Sequence, residues 1–187
     1  MIREVSGDIL FTKAQAIAHG IAPNDPFNQG LALALREKWT IMHKDYRHYA
    51  NQTHPRPGEL WAWGGFGIRI FNLLTQEGSF DHGSKPGRAT LSNINHCLRR
   101  LRHEIEKEQI NSLALPRIAT GVGGQDWNEV KPLIEKHLGD VKIPILVYTT
   151  YRLNCNYRLP YSMAFDLQNN RTSCLFLTSM SRTKVAS

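Results

Sequence analysis

The sequence predicts an α/β fold in which helices sandwich a mixed β-sheet. Short apolar runs suited to buried strands alternate with longer stretches whose apolar residues recur with the helical period. One pair of strand-like runs, residues 59–63 and 68–74, is joined by Gly64-Gly65 and reads as a hairpin, so the sheet contains an antiparallel pair. A chain of 187 residues with 41% hydrophobic residues has enough apolar material for one domain with a substantial core.

Taken in order, Ile2-Arg3-Glu4-Val5 alternates as a first strand, and Gly7-Asp8 marks a turn. Residues 14–18 form a compact apolar run leading into His19-Gly20, a second strand that ends at a site. Pro23-Asn24-Asp25-Pro26 has loop chemistry. From Gly30 the run Leu31 to Trp39 is strongly helix-forming, and its apolar positions 31, 34, 35, 39 and 42 place one face on a core. Pro55 to Gly58 breaks the chain before the hairpin. Residues 75–86 are polar and glycine-bearing and read as a loop over the site, with His82 and Lys85 either meeting a ligand or simply solvated. Residues 88–107 are amphipathic, with Leu91, Ile94, Leu98, Leu101 and Ile105 on one face, hence a long helix. A strand over 113–115, a helix over about 127–138 and a last buried strand over 143–148 complete the pattern. Trp61, Trp63 and Phe66 are expected to pack the hairpin rather than to form a platform for bases.

The chemistry concentrates in residues 113–127. The strand Leu113-Ala114-Leu115 stops at Pro116, which has no N–H for a ladder. Gly121, Gly123 and Gly124 follow, and Asp126-Trp127 opens a helix. A strand, a glycine-rich turn and a helix start together suit an anion, because backbone N–H groups then approach a phosphate with no Cβ between them. The alternative is a glycine-rich surface turn with no ligand. The spacing matches neither a P-loop, since no lysine follows Gly124, nor G-x-G-x-x-G, since the third glycine comes too early.

The net charge of +7 favours anionic partners. Five basic residues against one acid lie after Tyr151, leaving 18 against 15 in residues 1–151, so the excess belongs largely to the end of the chain. There the composition turns to Asn, Ser, Thr and Arg without clear period. The expected organisation is therefore one domain over 1–151 and a basic C-terminal appendage over 152–187. A protein that binds nucleic acid through that appendage is the rival reading. Cys97, Cys155 and Cys174 are widely spaced and odd in number, which favours free thiols over a disulfide framework or a zinc ribbon. With no secretory signal pattern and no apolar run near ~18 residues, a cytoplasmic protein with no membrane contact is expected.

Read together, these stretches resemble the macro domain, an ADP-ribose-binding module. Gly7-Asp8-Ile9-Leu10 is similar to the family's first loop. Residues 16–22 followed by Gln29-Gly30-Leu31-Ala32 match the strand and glycine turn beside the distal ribose, and Leu115 to Trp127 matches the diphosphate loop. The match runs in order over roughly residues 2–150. The resemblance implies a three-layer α/β/α sandwich with a mixed sheet, no cofactor and no metal, a monomer, and ADP-ribose or an ADP-ribosylated protein or nucleic acid as partner. Leu74-Thr75, Lys85-Pro86 and Pro116-Arg117-Ile118 are most similar to the branch of terminal ADP-ribose glycohydrolases and DNA-ADP-ribose-removing antitoxins.

By position, the resemblance implies that Asp8 accepts from the adenine amino group and Ile9 covers the ring. Asp8 also reads as a turn residue capping its own backbone. Gly30 and Leu31 would flank the ribose, Gly121, Val122, Gly123 and Gly124 would hold the diphosphate, and Thr120 would add a hydroxyl. The family's catalytic sets are incomplete. Ala22 and His19 stand where asparagines are usual, Gln76 where one branch has a lysine nucleophile, and Gly123 where it has an aspartate. A glutamine amide cannot form the Schiff-base adduct that a lysine forms. The candidates that remain are His19, as general base, water-orienting group or structural residue, Asp126, as water-positioning group or helix cap, and Gln76.

Overall fold

In the computed structural model, residues 1–78 and 85–151 are described; the expectations for His82 and for the appendage at 152–187 lie outside them. Six strands form one mixed sheet: β1 (Ile2–Gly7), β2 (Ala16–Ile21), β3 (Leu60–Gly65), β4 (Ile68–Leu74), β5 (Leu113–Pro116) and β6 (Ile145–Tyr151). The strand order is β1-β6-β5-β2-β4-β3, parallel throughout except for the β3–β4 hairpin. Among the described residues there are four helices, α1 (Gly30–Lys38), α2 (Thr40–Thr53), α3 (Leu91–Lys107) and α4 (Trp127–Leu138), with a short 3-10 turn at Ile9–Phe11.

The two-residue period of the strands builds a core on each side of the sheet. In β2, Ala16 and Ala18 face α3 and α4, where Ile94, Leu98, Leu101, Val130 and Ile134 meet them. Ile17 and Ile21 face the other way and pack with Leu35, Met42 and Tyr46 of α1 and α2. Strands buried on both faces are what an α/β/α sandwich requires, and the three-layer expectation holds.

The chain departs from the expected single helix after Gly30. Trp39 leaves helical geometry, with φ −129° and ψ 70°, and the chain restarts as α2. The apolar period runs across this break, because Leu35 and Met42 on either side of it enter the same core, so the periodicity alone conceals the turn. The long helix begins at Leu91, later than residue 88, where the Thr90 side chain accepts the N–H of Asn93 as an N-cap. The hairpin aromatics divide: Trp63 is buried and donates its indole N–H to Asp45 at 2.9 Å, whereas Phe66 at the tip is 77% exposed. Cys97 is buried as a free thiol.

Candidate ligand cleft and glycine loop

The parallel strands β1, β6 and β5 end on the same side of the sheet, and their ends together with the start of α1 enclose a cleft of about 400 Å³. Asp8, Ile9, Gly30 and Leu31 line it, joined by Pro116 and Tyr148. Crevices beyond the carboxyl ends of parallel strands are where open α/β sheets take ligands.

Each element delivers its residue for a local reason. Asp8 follows β1 and caps the 3-10 turn, Oδ1 accepting the Leu10 N–H at 3.0 Å. It is 2% exposed, so the capping reading and a place in the cleft both apply to it. Gly30 opens α1 with φ +56°, a backbone conformation that costs an L-residue roughly 1–2 kcal/mol, although a side chain there would meet no atom within 4 Å. Glycine is therefore favoured there by the backbone, and the N–H groups of the first turn of α1 before Leu33 have no helical partner. Below the cleft, the Lys38 ammonium donates to the Leu10 carbonyl and lies over the rings of Phe11 (5.1 Å) and Trp39 (4.7 Å).

The glycine loop follows directly from Pro116 but does not line the same cavity. Its own backbone closes it: Gly124 N–H bonds to Gly121 O at 3.0 Å and Gln125 N–H to Ala119 O at 2.9 Å. Ala89 N–H donates to Gly123 O at 3.0 Å, and the Gln125 amide donates to Ala89 O at 2.5 Å, tying the loop to the start of α3. Among the described residues, the N–H groups of Gly121, Val122 and Gly123 have no protein acceptor, and Val122 is 53% exposed. The Thr120 hydroxyl turns back to Arg117 O at 2.9 Å. Arg88, which no sequence pattern singled out, donates to Gly124 O at 2.8 Å and clamps the loop from outside.

The three catalytic candidates are elsewhere. His19 is 1% exposed and lies opposite Asn72 in the β2–β4 register, with Nε2 and Asn72 Oδ1 2.7 Å apart. Burial pushes its pKa down to about 4, against which the Asn72 bond acts, so the ring is neutral near pH 7. Its Nδ1 is buried without a partner among the described residues. Gln76 is also buried, its amide donating to Gly87 O at 3.0 Å. Asp126 caps α4, accepting the Asn128 N–H at 2.9 Å. None of the three lines the cleft. A general-base role for His19 meets a ring sealed from solvent with a depressed pKa, and a water-positioning role for Asp126 meets a carboxylate engaged at the helix start.

Of the nine residues that line the cleft, the sequence singled out four as ligand-binding (Asp8, Ile9, Gly30 and Leu31), carried Gly7, Leu10 and Pro116 only within the motifs, and missed Tyr148 and Ala34. Tyr148 lay at the end of the expected last strand, where the rule about strand ends points. Ala34 carried only the helical period.

A family model described as Macro domain matches residues 27–134, more than half of the chain. The chain is 36% identical over 168 residues to a DNA ADP-ribosyl transferase–DNA ADP-ribosyl glycohydrolase fusion protein of Thermosipho africanus, covering 77% of this chain but only 40% of that protein. It is 26% identical over 149 residues to the human ADP-ribose glycohydrolase OARD1, covering 79% of this chain and 91% of the relative. Among solved structures, the macrodomain of Thermus aquaticus DarG superposes with a TM-score of 0.70 at 23% identity, over 80% of this chain and 98% of the other. Thermosipho africanus DarTG in complex with ADP-ribose gives a TM-score of 0.70 at 20% identity, over 87% and 44% respectively. At these identities the structural likeness establishes the fold.

Proposed function

The chain belongs to the macro-domain family, and from that premise we propose that it binds ADP-ribose and hydrolyses ADP-ribosyl linkages. The observation that carries the reading is convergence. Residues from β1, β5, β6 and α1 meet in one cleft of about 400 Å³, and the loop that follows offers three N–H groups with no acceptor among the described residues. Asp8 and Ile9 receive the adenine, Gly30 and Leu31 the ribose, and the N–H groups of Gly121 to Gly123 the diphosphate. Names of the relatives support the chemistry: one removes ADP-ribosyl groups from DNA, and the other is an ADP-ribose glycohydrolase.

Hydrolysis then proceeds by water attack. Water oxygen bonds to the anomeric carbon of the distal ribose, the bond to the acceptor breaks with its electron pair, and the proton of the water passes to the departing acceptor. The loop contributes by fixing the diphosphate, which bends the substrate toward the water and places negative charge near the oxocarbenium-like centre. A lysine adduct is not part of this route, because position 76 is a glutamine whose amide is held by Gly87. His19 and Asp126 have structural roles, the first pinning β2 to β4 and the second starting α4. A non-catalytic reader of ADP-ribose is the second reading, favoured by the internal commitments of His19, Gln76 and Asp126. Residues 1–151 form the binding unit, since every cleft residue precedes Tyr151, and residues 152–187 are a basic appendage; the protein acts as a cytoplasmic monomer.

The test is turnover of three substrates by the full chain: ADP-ribosylated DNA, ADP-ribosylated protein and ADP-ribose-1″-phosphate. Release of ADP-ribose or its equivalent, without a borohydride-trapped lysine adduct, is expected. Binding of ADP-ribose with no turnover of any of the three makes the protein a reader.

A further inference from the structure

A second cleft lies on the other side of α1, away from the residues that line the first. Two adjoining cavities, of about 420 and 400 Å³, share Arg36, His43 and Arg47. The loop at Pro23–Pro26 forms one wall, and Lys44 and Asn51 extend the lining along α2. His43, Arg47 and Asn51 follow one another at four-residue intervals, so they stand on one ridge of α2 and span about 12 Å.

The charge of this cleft is unbalanced. Arg36, Lys44 and Arg47 form no ion pair with any acid among the described residues, although Arg36 donates weakly to Pro26 O at 3.4 Å. Two acids also line the cavities, Asp25 in one and Glu37 in the other. Asp25 is turned into its own loop, accepting the Phe27 N–H at 2.7 Å and the Ala22 N–H at 3.4 Å, and burial raises its pKa. Glu37 is exposed at the edge. The His43 imidazole is held below its usual pKa by burial and then by the charges of Arg36 and Arg47, which line the same two cavities. Concentrated, unpaired positive charge in a concave site calls for an anion.

We propose that this cleft binds the phosphate backbone of a nucleic-acid strand, the strand that carries the ADP-ribosyl group in the function proposed above. An extended basic track fits a phosphodiester chain better than a single phosphate, because two joined cavities share their cations along one helix ridge. Its position fits the reaction as well. Gly30, Leu31 and Ala34 of α1 face the ADP-ribose cleft and Arg36 faces the basic one, so the two are separated by about one helix diameter, ~10 Å. A strand joined to the distal ribose can then run over α1 onto Arg36 and Arg47.

The test uses the full chain and its Lys44→Glu/Arg47→Glu variant, two exposed positions with no hydrogen bond among the described residues. A fluorescent single-stranded DNA, a phosphorylated peptide and free ADP-ribose are titrated separately across a range of salt. The variant is expected to bind the DNA at least about 10-fold more weakly and to lose at least ~1.4 from its salt slope, as removal of two phosphate contacts requires. Affinity for free ADP-ribose is expected to stay within about two-fold, since neither residue lines that cleft. An unchanged salt slope, or an equal loss in Arg99→Glu/Arg100→Glu on α3, overturns the proposal. Equal affinity of the wild type for the phosphopeptide overturns the assignment to nucleic acid. If neither protein binds ADP-ribose and the DNA effect persists, the proposed function fails and the strand-binding cleft stands.

Discussion

Gly121 and Gly123 sit two residues apart in one turn, but a side chain added at each has a different consequence. At Gly121 a Cβ meets no atom within 4 Å. At Gly123 it falls 2.6 Å from Ala119 O, 2.9 Å from Ala119 Cα and 3.0 Å from Ala89 Cβ. Two of those three atoms are backbone, in a segment where Ala119 already holds φ +61°, so relief requires the loop itself to move. Overpacking of this kind costs about 1–3 kcal/mol. At roughly 2–4 °C per kcal/mol for a chain of this size, Gly123→Ala should lower the melting temperature by about 2–12 °C. Gly121→Glu should leave it within about 2 °C, as exposed substitutions usually do. Binding should follow the opposite order of cause. A glutamate at 121 reaches into the open space over the unpaired N–H groups and sets a like charge against the diphosphate. Such pairs a few ångströms apart near a surface are worth up to about 4 kcal/mol, so a loss of ~100-fold or more in ADP-ribose affinity is expected. Differential scanning fluorimetry and calorimetric titration on both variants read the two effects. Gly121→Glu with native ADP-ribose affinity would refute the placement of the diphosphate on this loop, and Gly123→Ala with a native melting temperature would refute the steric argument.

Three other outcomes follow from the same structure. His19 has its folded pKa lowered to about 4, below the ordinary 6.5, so the unfolded chain binds the extra proton between those values. Its contribution to stability is therefore complete above pH 6.5 and falls by up to about 1.4 kcal/mol per pH unit down to pH 4; His19→Gln, compared with wild type by urea melts at pH 7 and pH 5, should show the smaller loss, and equal losses would contradict a buried neutral ring. Asp126→Ala removes the cap of α4 and should cost about 1 kcal/mol in denaturant melts with turnover intact, whereas a rate loss of ~10²-fold or more at unchanged stability would make Asp126 catalytic. A chain ending at Tyr151 keeps the Gly7–Tyr151 pairing of β1 with β6 and should unfold cooperatively and bind ADP-ribose, which circular dichroism and calorimetry test.

The fold was legible wherever burial on two faces left an apolar run or a stripe. The run in residues 14–18 leads into β2, which starts at Ala16, and the stripe Leu91 to Ile105 lies within α3, because core packing and periodicity coincide there. The break at Trp39 was hidden because the residues on both sides serve one core, so tertiary packing continued a pattern that the backbone had abandoned. At the site, residues placed by backbone demands were readable. Gly30 needs a positive φ, and Gly123 needs the absence of a Cβ. His19 misled for a physical reason: its type suggested proton transfer, but its partner Asn72 is 53 residues away and only the strand register brings the two together. Arg88 was invisible for the same reason, since its contact with Gly124 is made across the fold.

The central claim is that the cleft and the glycine loop together bind ADP-ribose. Calorimetric titration of the full chain with ADP-ribose tests it most directly. A dissociation constant in the micromolar range is expected, about −8 kcal/mol, together with a stabilisation of about 2.7 kcal/mol at ~100 times that concentration. No heat of binding and an unmoved melting temperature under the same conditions would contradict the account.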